Sequence, residues 1–103
     1  MKNGNGLNSE FSPELFESET ARALALLSRW PGVKRIWSYG SPAKSGLFDL
    51  DLAVEGLSSV DYGQAWAELE ESLAVPVNLA RWETASPPLR EDILRTGCLL
   101  FEE

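Results

Sequence analysis

The sequence predicts an α/β (α+β) fold in which a small mixed sheet of about four strands packs against helices, and three observations predict it. Four short apolar stretches alternate with three stretches of helical periodicity, in the order α-β-β-α-β-α-β. Residues 49–55 alternate strictly, with Asp49, Asp51 and Ala53 on one side and Leu50, Leu52 and Val54 on the other. That period of two marks a strand with one core face and one open face. The chain has 103 residues, 44% hydrophobic and 24% charged, the balance of an ordinary globular domain.

The elements follow in order. Ser12-Pro13 opens the first helix, a capping residue before a proline whose missing N–H costs nothing in the first turn. Phe16, Thr20, Ala23, Leu24 and Leu27 recur on one face, with Ser18, Arg22, Ala25 and Arg29 opposite. Pro31-Gly32 ends that helix, and residues 34–39 read as the first strand, closed by Gly40-Ser41. The second strand, 49–55, is broken by Gly56. The second helix starts near Ser59 or Asp61, with Asp61 and Gln64 as a capping box and Tyr62, Trp66, Leu69 and Leu73 as its apolar stripe. Residues 75–81 form the third strand, where Pro76 predicts an edge or a strand start because proline cannot donate to a ladder. Ser86-Pro87-Pro88 opens the last helix, with Leu89, Ile93 and Leu94 facing inward. Gly97 stops it, and residues 98–101 make a short closing strand.

Residues 1–11 are polar and rich in glycine and asparagine, so they read as a flexible tail, with 12–103 as a single domain. The tail lacks the apolar centre of a signal peptide, and no apolar run nears the roughly 20 residues that span a bilayer. A cytoplasmic protein without membrane contact is expected. Histidine is absent, which excludes His-based acid–base catalysis, Ser–His nucleophiles and His-ligated zinc. The lone cysteine, Cys98, cannot form an internal disulfide, and its apolar neighbours predict a buried small hydrophobe. A net charge of −7 opposes unaided gripping of a nucleic-acid backbone, so no autonomous nucleic-acid binding is expected. The same charge does not exclude a nucleotide that arrives with Mg2+.

The chemistry concentrates in Tyr39-Gly40-Ser41 and Asp49-Leu50-Asp51. Acidic residues are poor strand formers, so two on one strand face ask for a cause. Residues i and i+2 of a strand stand roughly 6.6–6.8 Å apart on one side, so Asp49 and Asp51 can converge on one or two cations. Their hard oxygens suit Mg2+, whose octahedron substrate phosphates and water complete. Gly40 lets the backbone approach a phosphate, Ser41 can donate its hydroxyl, and Lys44 is the nearest fixed positive charge. On these residues alone a solvated acidic strand face with a loop lysine stays open as the plainer alternative.

Tyr39-Gly40-Ser41-x-Ala43-Lys44 followed by Asp49-Leu50-Asp51-Leu52-Ala53-Val54 resembles the signature of the DNA polymerase β-like nucleotidyltransferase superfamily. Within it the likeness is greatest to the minimal nucleotidyltransferases (MNT), and Pro76-Val77-Asn78-Leu79 and Pro88-Leu89-Arg90-Glu91-Asp92-Ile93-Leu94-Arg95-Thr96-Gly97 extend it. The resemblance implies the polymerase β-like nucleotidyltransferase fold, binding Mg2+–ATP or another nucleoside triphosphate at the Gly-Ser turn. It implies Ser41 against the terminal phosphate oxygens and Asp49 and Asp51 as the catalytic, metal-binding carboxylates, beside which Gly40 and Lys44 stay the further phosphate-contact candidates.

Asn78 stands where members of the family usually carry a third carboxylate. An amide oxygen can still ligate a metal weakly, but it brings no charge and cannot act as a base. Only residues 42–48 separate Ser41 from Asp49, a short span for the superfamily, and Pro42 stands where many relatives have arginine. Glu83, in the loop beyond, is the carboxylate that could lean in to replace the third, although nothing in the spacing compels it.

The resemblance further implies a small helical HEPN-type partner, with this chain as the antitoxin-like half of a HEPN/MNT pair that transfers AMP onto that partner. With Asn78 and the short loop, the alternative is a catalytically weak homologue that binds its partner as a scaffold or senses nucleotide. A homo-oligomer also stays open. Among the tryptophans, Trp82 beside the proline-rich turn is the candidate interface anchor.

Overall fold

The structure, a computed structural model, describes residues 13–40 and 49–103. In chain order these form α1 (Pro13–Leu27), β1 (Arg35–Tyr39), β2 (Leu50–Glu55), α2 (Ser59–Ser72), β3 (Val77–Arg81), a 3-10 turn (Trp82–Thr84), α3 (Pro87–Thr96) and β4 (Cys98–Glu102). The strands lie in the order β3-β2-β1-β4. β1 pairs antiparallel with β2 and with β4, while β2 and β3 run parallel across the α2 crossover. This is the mixed sheet and element order that the sequence predicts. The expected tail, 1–11, and the capping residue Ser12 lie outside the described residues. Among the described residues no helix is long and apolar enough to cross a membrane.

The alternation in β2 sets the layers. Leu50, Leu52 and Val54 are buried with Ile36, Val77 and Leu79 in a core closed by Ala23 and Leu27 of α1 and Ala65 and Leu69 of α2. Each fully buried leucine there contributes about 1.5–3 kcal/mol. The opposite side of β2 is less open than the pattern predicts, because Ala53 is fully buried with Trp37 and Ile93 under α3. That face reaches solvent at its two ends, at Asp49 and Asp51 and again at Glu55.

The helix ends follow local chemistry. Ser58 caps α2 by accepting the Asp61 N–H at 3.1 Å, so the cap lies three residues before the expected Asp61/Gln64 box. Ser86 caps α3 as expected, accepting the Leu89 N–H at 3.3 Å. Pro76 precedes β3, which is an edge strand.

Three side chains depart from expectation. Leu94 is 66% exposed, because α3 turns only a narrow stripe, Leu89 and Ile93, onto the sheet. Cys98 is exposed and not buried, since it opens the edge strand β4. Glu19, an acidic residue in α1, is buried, and its carboxylate accepts the Ala74 N–H at 2.6 Å. That bond ties α1 to the turn between α2 and β3.

Candidate functional site

β1 ends at Tyr39, and Gly40 turns the chain away with φ +77, in the left-handed region that side chains disfavour. Antiparallel register sets Tyr39 opposite Asp51, and parallel register sets Asp51 opposite Asn78. Tyr39, Asp51 and Asn78 therefore make one row across three strands, on the face that carries α3. Asp49 immediately precedes β2 and is exposed. The neighbouring Leu50 N–H donates to the Pro76 carbonyl at 2.9 Å, which ties this end of β2 to the start of β3.

Asp51 is held through one carboxylate oxygen, and the other lies close to the Gly40 turn. Asn78 Nδ2 donates to its Oδ1 at 2.9 Å, and a Cβ built on Gly40 would lie 2.9 Å from its Oδ2. The missing side chain at Gly40 is what gives the carboxylate room beside the turn. Tyr39 completes the row, half-buried. Burial first, and the Asp51 charge second, push its phenol above the ordinary tyrosine range. The sequence reading gave Tyr39 no role; its place just before Gly40, opposite Asp51 in a hairpin, was the available signal.

The next row lies beneath α3. Trp37 sits opposite Ala53 and stacks on Trp82, with ring centroids 4.8 Å apart and planes inclined at 26°. Arg90 of α3 covers Trp82 at 5.2 Å from its centroid and donates to the Trp82 and Glu83 carbonyls at 2.9 and 3.0 Å. Trp82 is thus engaged by Trp37 and Arg90 within its own chain. Together with Trp37 it forms a strut under the site. Glu83 accepts the Gly56 N–H at 2.7 Å. Gly56 lies five residues beyond Asp51, roughly 16 Å along the strand direction, so the Glu83 carboxylate does not reach the row.

Asp49 and Asp51 offer hard oxygens that fit one Mg2+. Among the described residues no three Asp, Glu, Cys or His side chains converge as a metal site, and the third member of the row is an amide with its donor end on Asp51. The expected phosphate contacts Ser41 and Lys44 lie outside the described residues.

No family profile and no curated protein matches the chain. Solved structures do. A protein provisionally assigned as a minimal nucleotidyltransferase shares 32% identity and a TM-score of 0.65, over 82% of this chain and 95% of that one. A tri-AMPylated Shewanella oneidensis HEPN toxin in complex with MNT antitoxin matches at 22% identity and TM-score 0.64, over 87% of this chain and 72% of that one. A toxin–antitoxin structure with AMP-PNP matches at 22% identity and TM-score 0.64, over 84% and 73%. The fold is that of the DNA polymerase β-like nucleotidyltransferases, a four-stranded mixed sheet with the paired aspartates beside the turn after the first strand. At the level of sequence and length the first match is closer still: the chain belongs to the minimal nucleotidyltransferase family.

Proposed function

We propose that this chain binds a nucleoside triphosphate, ATP foremost, with Mg2+ at the corner formed by Gly40 and Asp51. In this reading it is the antitoxin-like half of a HEPN/MNT pair, and its reaction is transfer of AMP to a small helical HEPN-type partner. One observation carries it: the open turn at Gly40 lies directly against the Asp51 carboxylate at the solvent end of β2. Two structural relatives support it, one determined with AMP-PNP and one holding an AMPylated HEPN toxin.

Asp49 and Asp51 would hold the Mg2+ that accompanies the nucleotide, and the ion would supply charge neutralisation of the phosphates against a chain of net charge −7. Gly40 and Ser41 lie against the phosphates, Lys44 adds a positive contact, and residues 12–103 act as one domain. The acceptor hydroxyl of the partner displaces pyrophosphate from the α-phosphorus, so one P–O bond forms and another breaks. The hydroxyl proton goes to solvent, because Asn78 offers no basic group.

Asn78 also favours a second reading, a partner-binding homologue with slow turnover. General-base assistance is typically worth about 10²–10⁴-fold, and an amide cannot provide it. Calorimetry with ATP tests the nucleotide site. Binding should require Mg2+ and vanish in Asp51→Asn, whereas an absence of heat at millimolar ATP sinks the transfer reading and leaves the partner-binding one. Incubation with α-labelled ATP and a candidate HEPN-type partner then separates them. Label on the partner supports transfer; a stable, unlabelled complex supports the second reading.

A further inference from the structure

We infer that Asn78 is a positioning residue that makes this a one-cation site: its amide satisfies Asp51 and withholds the third carboxylate that a second divalent cation needs. The inference deepens the nucleotide-binding reading above and rests on it.

Three observations carry it. The bond from Asn78 Nδ2 to Asp51 Oδ1, at 2.9 Å, sets an N–H donor against the aspartate where a third ligand oxygen would have to stand. The parallel register makes Asn78 the direct neighbour of Asp51, so an aspartate there would stand carboxylate against carboxylate. Nor does another carboxylate compensate. Glu83 is committed to the Gly56 N–H, and among the described residues no three metal-ligating side chains converge.

Charge balance points the same way. Asp49 and Asp51 together carry −2, which matches one divalent cation. Without nucleotide, a second cation about 3.5–4 Å from the first would meet its repulsion with no third carboxylate in the row to offset it. Asn78 is therefore more than a lost ligand. It keeps Asp51 in place without metal, where a second carboxylate would repel it.

The test counts bound Mn2+ by electron paramagnetic resonance on the native chain, Asn78→Asp and Asn78→Ala, with and without AMP-PNP, and melts each protein in EDTA and in Mn2+. With AMP-PNP the native chain should hold one Mn2+ and Asn78→Asp two. Without nucleotide, Asn78→Asp should bind Mn2+ about tenfold more tightly than the native chain, since ligand charge count tunes such sites. It should melt lower in EDTA and recover with Mn2+, while the native chain and Asn78→Ala shift little. Two Mn2+ on the native chain would overturn the inference, as would equal Mn2+ affinity in Asn78→Asp. A loss of more than about threefold in Asn78→Ala would also overturn it, by showing that the amide oxygen is itself a ligand. Failure of AMP-PNP to bind would sink the nucleotide reading instead, and the nucleotide-free Mn2+ and melting measurements would still decide the role of Asn78.

Discussion

Gly40 and Asp51 share one small volume: a Cβ on the glycine would lie 2.9 Å from Oδ2 of the aspartate. The glycine also sits at φ +77, so two independent constraints exclude a side chain there. Gly40→Ala should lose about 1–3 kcal/mol of stability from backbone strain alone. It should also push the Asp51 carboxylate out of its row and weaken Mg2+–ATP binding more than the stability loss accounts for. Thermal melting and calorimetry on the same preparation check this; native values in both would show that the turn relaxes freely.

The stack of Trp37 on Trp82, capped by Arg90, supports the row from below. Trp82→Ala should cost about 2–4 kcal/mol, because truncation empties a half-buried aromatic layer. Arg90→Ala should cost about 1 kcal/mol through the lost cation–π contact and carbonyl bonds. The double variant should lose less than the two single losses combined, since Arg90 acts through the Trp82 ring. Urea denaturation of the three variants measures the coupling.

Glu83 is a structural acceptor for the Gly56 N–H. Glu83→Ala should lower stability by about 1 kcal/mol and leave nucleotide binding unchanged. A variant with native stability but weakened nucleotide binding or transfer would return Glu83 to the site.

Alkaline pH should weaken the fold through its two tyrosines. Tyr39 is raised by burial and then by the Asp51 charge; Tyr62, whose hydroxyl donates to the Leu79 carbonyl, is raised by burial. In each case the folded state keeps its proton to higher pH than the unfolded chain does. Their contribution is fully present below the ordinary tyrosine pKa, about 10, and is lost as pH climbs through the raised folded values. Melting temperature should fall above that point, and Tyr39→Phe with Tyr62→Phe should flatten the fall.

Much of the fold is readable from short-range pattern. The alternation of Leu50, Leu52 and Val54 identifies β2 and its buried face, and Ser86-Pro87 marks the start of α3. The turn and paired-aspartate signature likewise points to the family. Side-chain burial was less readable where an element packs a narrow stripe or an edge. Leu94 and Cys98 are apolar in type yet exposed, and Glu19 is charged yet buried, because each depends on what a distant element covers.

Periodicity, capping and the order of donors are settled among residues a few positions apart, so the chain alone specifies its elements and the presence of Gly40, Asp49, Asp51 and Asn78. Which donors meet is settled by register and packing. Asn78 reaches Asp51 across 27 positions, and Glu83 spans the same separation to Gly56. No local rule distinguishes those two pairings. Parallel pairing of β2 with β3 brings the amide to the aspartate and leaves the one nearby glutamate at the far end of the strand.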